Sequence, residues 1–309
     1  AVLAAAVAAV LAGPGPRPRI FVSEALPGGP EPFDLAAAVQ GADLEVIRPG
    51  SKPEALPAQR GEASPEPQLT VICGVWHKDP HRHELVRGHL ACLRAQSRPV
   101  RALYVFDGGD LPPADFEGEY VATRQPLALY EAWDLAIQAV RTPYVMNLNL
   151  DDRLCPDAAE AVLEALEAGA DLVGGEWRIC FSQEETDGTR AGERVEDLPF
   201  HPDWPPVTGR PVRLGSGTGE RGTYGPGTAW RMALHRELPH YPWRFEDGSP
   251  VRVIGDGLWW ELLGQAGKKR VRLRRVLGHY HSHPGGQAEF RNPEAGEWAR
   301  LQAVGVRVT

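Results

Sequence analysis

Residues 130–153, Tyr-Glu-Ala-Trp-Asp-Leu-Ala-Ile-Gln-Ala-Val-Arg-Thr-Pro-Tyr-Val-Met-Asn-Leu-Asn-Leu-Asp-Asp-Arg, constrain the fold more than any other stretch of the chain. Ala132, Leu135, Ala136, Ala139 and Val140 form an apolar helical stripe that runs into a turn at Thr142-Pro143. A short strand, Tyr144 to Met146, follows at once and ends in the adjacent carboxylates Asp151 and Asp152. A helix feeding such a strand implies a layered α/β core. Carboxylates at the exit of that strand suit a hard divalent cation, Mg2+ or Mn2+, which prefers oxygen ligands and can neutralise a diphosphate. The bland alternative is an acidic turn that caps a helix opened by Pro156 and Asp157.

The flanking sequence extends the alternation. Leu69 to Val75 is a continuous apolar strand, His83 to Ala95 a helix, and Ala102 to Phe106 a strand closed by Asp107-Gly108-Gly109-Asp110. Pro156 to Ala168 is an amphipathic helix stopped by Gly169, and Asp171 to Gly174 and Trp177 to Phe181 are two further strands. Residues 182–225 are rich in Gly, Pro, Ser and charge, a length that implies either a lid or disorder. Order returns with a helix at Trp230 to His235, another from Asp256 to Ala266, and a strand from Arg270 to Leu277. Upstream, residues 1–49 read as helix (1–12), strand (Arg19 to Ser23), helix (Phe33 to Gln40) and strand (Leu44 to Ile47). That is too little to bury a core alone, so it should pack on the rest. The divisions expected are 1–49, a proline-rich linker 50–67, a first half 68–181, the loop 182–225, a second half 226–290 and a tail 291–309.

Bulk properties exclude several classes. The chain has 309 residues and a net charge of −8, which argues against a general nucleic-acid binder. Its four cysteines form no Cys-x-x-Cys pair, consistent with thiols in a reducing cytoplasm. No apolar run reaches the roughly 20 residues of a membrane span. Residues 1–12 are apolar and Ala-rich, a packed helix or the core of a signal peptide. The expected location is cytoplasmic, with a peripheral position at the inner membrane face left open. Arg270, Arg272 and Arg274 share one strand face, either a solvated edge or a headgroup-facing patch.

Residues 68–290 resemble family 2 glycosyltransferases, nucleotide-sugar-dependent enzymes of the GT-A fold. The helix, strand and Asp151-Asp152 turn are similar to the family's Asp-x-Asp-type segment, in the subgroup reading Asn-x-Asn-x-Asp-Asp-Arg. Val105-Phe106-Asp107-Gly108-Gly109 resembles Val-Asp-Asp-Gly-Ser, Ile254 to Glu261 resembles Ser-Asp-Trp-Glu-x-Trp, and His283-Pro284-Gly285 matches His-Pro-Gly. Trp230-Arg231 with His235 is similar to Trp-Arg-x-x-Leu-His. The resemblance implies a mixed, mainly parallel sheet with helices on both faces, plus a small N-terminal appendage. It implies inverting transfer from a UDP- or GDP-linked sugar to a sugar or lipid-linked acceptor, with Mn2+ or Mg2+.

On that reading Asp256 is the catalytic base, and Val75, Asp107, Tyr130 and Asp151 contact the donor. Asp152, His283 and His281 ligate the metal, and Trp230, Arg231 and Trp259 line the acceptor pocket. Each has a plainer reading: a turn for Asp107, a helix N-cap for Asp256, a core aromatic for Trp230. One departure stands out, since Trp133-Asp134 occupy positions where the family carries Arg-Asn. Two other classes remain open, a metal-dependent hydrolase built on the alternating His279, His281 and His283, and a non-catalytic nucleotide-sugar-binding module.

Overall fold

A computed structural model of the chain describes residues 20–23, 44–47, 66–194, 212–214, 227–238, 240–282 and 294–305. In chain order its elements are β1 (Ile20–Ser23), β2 (Leu44–Ile47), β3 (Leu69–Val75), α1 (Arg82–Arg94), β4 (Arg101–Phe106) and β5 (Glu119–Ala122). Next come α2 (Leu129–Ala139), β6 (Tyr144–Asn147), β7 (Arg153–Leu154), α3 (Ala158–Glu167), β8 (Leu172–Cys180) and α4 (Gln183–Asp187). The rest are β9 (Val212–Leu214), β10 (Ala229–Arg231), α5 (Gly255–Gln265), β11 (Arg270–His281) and α6 (Glu294–Val304). The strands form one sheet in the order β2-β1-β5-β4-β3-β6-β10-β8-β11-β7, with β9 added on β8. The run from β2 to β6 is parallel throughout, as is β8 with β11, while β10 enters antiparallel between β6 and β8.

The apolar run of β3 has a physical cause: both faces of this strand are covered, so alternation would leave polar side chains in the core. Ile72 joins Leu103, Val105, α2 and α5 on one face. On the other, Leu69, Val71 and Met146 pack on α3, and Cys73, Val75, Tyr104 and Phe106 on α1. Each aliphatic side chain buried this way contributes about 1.5–3 kcal/mol. Helices therefore lie on both faces, as expected of the mixed GT-A-like sheet. Helix α2 begins where the Glu131 carboxylate accepts the Ala128 N–H at 2.7 Å and ends as Val140 turns extended ahead of Pro143.

Four local expectations change. The strands expected at 171–174 and 177–181 are the single strand β8. Trp230 and Arg231 lie on β10 rather than on a helix, because the antiparallel β6 and β8 backbones flank them; only Met232–Arg236 coil, as a 3-10 turn. Strand β11 continues to His281, and the expected tail carries α6. The upstream strands β1 and β2 extend the sheet beyond β5, while the helices expected at 1–12 and 33–40 lie outside the described residues. No described helix is long and apolar enough to cross a membrane.

Candidate active site

Because β3, β4 and β6 are parallel neighbours, their carboxyl ends open on one edge of the sheet, the usual position for ligands in such folds. The Val75 side chain is buried against α1, so only the backbone at that strand exit faces the edge, followed by Trp76, which is 59% exposed. Asp107, just past β4, is buried and fully engaged. Its Oδ1 accepts the His77 N–H and contacts His77 Nδ1, both at 2.8 Å, and its Oδ2 accepts the Leu127 N–H at 2.8 Å. Gly108 has φ +62°, and a Cβ there would come within 2.6 Å of the His77 ring. Asp107 thus ties the β3 exit and the approach to α2 together.

The acidic turn is deeper than its sequence suggests. After β6 the Leu148 N–H donates to Ile72 O at 3.1 Å, and the Asp152 N–H closes the turn on Asn149 O at 3.2 Å. Asp152 is 0% exposed; its Oδ1 accepts the His281 N–H at 2.9 Å, and its Oδ2 is buried without a hydrogen-bond partner. Burial, and then the neighbouring Asp151, push the Asp152 carboxyl well above the usual range. Asp151 is a third exposed and sits 3.4 Å from His281 Nδ1. Helix α4 braces the turn: Gln183 Nε2 donates to Asp151 O at 3.3 Å, and Asp187 pairs at 2.7 Å with Arg153, which donates to Leu150 O and Asp152 O.

Among the described residues no three His, Cys, Asp or Glu side chains converge on a cation position. The donor set nevertheless fits a hard cation that completes its shell with phosphate oxygens and water, since Asp152 presents an unsatisfied, buried oxygen beside Asp151 and His281. The alternating histidines do not act as a set. His279 is buried and held by Glu193 at 2.9 Å and by Glu185 O at 3.0 Å, while His283 lies outside the described residues.

Asp256 stands in the first turn of α5, one residue inside the helix, so it is not the N-cap; a carboxylate is favoured there by the helix dipole. Its Oδ1 accepts the Gly257 N–H at 2.8 Å and the Tyr130 hydroxyl at 3.1 Å. Tyr130, expected at the donor, is buried and also donates to Val253 O at 2.8 Å. A Cβ on Gly255 would approach the Tyr130 ring to 2.7 Å, so glycine is what lets that ring lie against the helix start.

Residues 110–231 match the family model described as glycosyl transferase family 2. Over this segment, less than half of the chain, the sequence is similar to that family. The match takes in α2, the Asp151-Asp152 turn and β10, and leaves Asp107, Asp256 and His281 outside it. No curated protein matches the chain at a significant level. Among solved structures, S. aureus TarS 1-349 in complex with UDP is 11% identical with a TM-score of 0.45, over 70% of this chain and 61% of that one. The mannosyltransferase PcManGT from Pyrobaculum calidifontis, in complex with GDP-Man and Mn2+, is 12% identical with a TM-score of 0.49, over 82% and 67% respectively. The chain thus spans less than two thirds of the TarS fragment's length.

Within the matched segment, the Trp133-Asp134 departure has a structural explanation. Trp133 is buried against Tyr130 and Tyr241, and Asp134 accepts the Tyr241 N–H at 3.1 Å and the Gln138 amide at 3.1 Å. This face of α2 therefore anchors the 240–241 segment. Of the residues expected at an acceptor pocket, Trp230 and Trp259 are fully buried, Trp230 donating to His235 Nε2 at 3.0 Å and Trp259 stacking on the same ring. Arg231 donates to Ala170 O and Leu166 O at the carboxyl end of α3 and pairs with Tyr144 in register, away from the site edge. His77, Glu193 and Glu297 went unseen in the sequence because each acts through a fold-dependent partner and carries no local motif.

Proposed function

We propose that this protein is a family 2 glycosyltransferase, which transfers a sugar from a nucleotide diphosphate donor to an acceptor hydroxyl with inversion, aided by a divalent cation. The observation that carries the reading is the buried, unsatisfied Asp152 oxygen at the exit of β6, within the segment matching the family. A buried carboxylate held by the His281 N–H at one oxygen and unpaired at the other is costly in its charged form unless a cation compensates it. Asp152, supported by Asp151 and His281, would hold that cation, which supplies charge neutralisation on the departing diphosphate. Asp151 is the more exposed of the pair, which leaves it free to face donor phosphates.

Asp256 is the base. It takes the proton of the acceptor hydroxyl as that oxygen bonds to the anomeric carbon, while the carbon–oxygen bond to the diphosphate breaks and its electron pair leaves with the phosphate. Tyr130 orients the carboxylate through its hydroxyl, so its role is reassigned from donor contact to support of the base. On the basic face of β11, Arg270 lies 4.7 Å over Trp260 and Arg272 pairs with Glu176, while Arg274 is exposed.

Titration calorimetry with UDP- and GDP-sugars, with and without Mn2+, tests the donor half: no nucleotide binding in either condition removes it. Asp256→Asn is expected to keep donor affinity and lose transfer. Full transfer by that variant would end the base assignment.

A further inference from the structure

Glu297 lies on α6, beyond every motif discussed so far, yet its carboxylate accepts three consecutive backbone N–H groups. Oε1 takes Arg252 N–H at 2.8 Å, and Oε2 takes Val253 N–H at 2.9 Å and Ile254 N–H at 3.1 Å. These three residues lead directly into α5, and Val253 returns its carbonyl to the Tyr130 hydroxyl that also reaches Asp256. One continuous set of hydrogen bonds therefore runs from α6 through the 252–254 backbone and Tyr130 to Asp256. Around it, α6 docks along its length. Leu301 packs against the core beside Phe245 and Ile254, Arg300 pairs with Asp247 and lies over the Phe245 ring, and Gly305 O accepts the Glu246 N–H at 3.1 Å.

We infer that Glu297 is a positioning residue for Asp256, and that α6 is a clamp fixing the base-bearing end of α5; the inference rests on the reading of Asp256 as base. Two features select this role over plain helix docking. A carboxylate shared among adjacent amides fixes backbone orientation at all three residues, which a single ion pair or an apolar contact cannot do. The residues so fixed are also those from which α5 takes its direction, so a small tilt there is passed on to the Asp256 side chain in the first turn. Glu297 touches no substrate in this arrangement; it acts through the main chain.

The experiment compares Glu297→Ala and Glu297→Gln with the unaltered chain in three measurements: amide exchange over 252–258, donor affinity, and steady-state transfer. Glu297→Ala is expected to raise exchange over 252–258 and lower kcat about 10- to 100-fold, the scale of a base displaced by a fraction of an ångström to 1 Å, with donor KM changed less than about twofold. Glu297→Gln keeps one acceptor oxygen and should fall between; it carries the same comparison if the alanine variant does not fold. Unchanged exchange over 252–258 overturns the clamp. Raised exchange with undiminished kcat, or a rise confined to donor KM, overturns the positioning role. An unaltered chain that binds donor but transfers to no acceptor removes Asp256 as base and the positioning role with it, while the exchange data still decide the clamp.

Discussion

Tyr130→Phe separates support of the base from contact with the donor. The substitution removes one hydroxyl and leaves the ring, so the edge contact with Trp133 at 5.3 Å and the stacking on Tyr241 at 6.0 Å survive. What disappears is a proton shared between Val253 O at 2.8 Å and Asp256 Oδ1 at 3.1 Å. The buried carbonyl loses a partner, at a cost of about 1–2 kcal/mol in stability. For a chain of this size that corresponds to a melting temperature lower by roughly 2–6 °C. Asp256 keeps the Gly257 N–H but loses its second donor, and about 1.4 kcal/mol of lost orientation would lower kcat roughly tenfold. Thermal unfolding and steady-state kinetics with varied donor read the two effects separately. A rise in donor KM with kcat intact would mean that the hydroxyl touches the donor, and would refute the argument.

Two further outcomes follow from buried charge. Asp152→Asn keeps an oxygen for the His281 N–H, so without added metal its unfolding temperature should be equal to or above that of the unaltered chain, while stabilisation by Mn2+ disappears; equal Mn2+ stabilisation of both proteins would remove Asp152 from the ligand set. His89 is buried beside the Tyr104 hydroxyl, and burial, then Arg153, lowers its pKa from 6.5 to about 3. Below pH 6.5 the unfolded imidazole takes a proton that the folded one refuses, so stability should fall from pH 6.5 towards 3 with a slope approaching about 1.4 kcal/mol per unit. Urea unfolding between pH 7.5 and 5 measures this, and His89→Gln should flatten the slope; an identical pH dependence in the variant would show that His89 titrates as though exposed.

What the sequence disclosed tracks how local each determinant is. The strand Leu69–Val75, helix α2 and the Asp151-Asp152 turn announce themselves because apolar spacing and turn residues are written in consecutive positions. Strand β10 is not legible in the sequence because Trp230-Arg231-Met232 carries no alternation, and its extended state comes from the antiparallel neighbours β6 and β8. β5 is four residues long and pairs on both edges, and α6 shows no strong apolar stripe, so neither stood out beforehand. The site divides the same way. Aspartates 151, 152 and 256 were legible from motif spacing, whereas the engagement of Asp107 by His77 and of Asp256 by Tyr130 depends on strand order and helix placement, over separations of 30 and 126 residues.

The acidic residues around this edge share a mode of attachment. Asp107 holds the amides of residues 77 and 127, Asp134 that of 241, Asp152 that of 281, and Glu297 those of 252, 253 and 254. An amide is supplied by every residue type but proline. The hold on each carboxylate therefore survives a change of side chain at the receiving position, while a change of the acid itself does not. Where the receiving side chain has a second task, as the rings of His77, Tyr241 and His281 do, that task constrains it separately; for the amide contact alone, proline is the one substitution excluded at all seven positions.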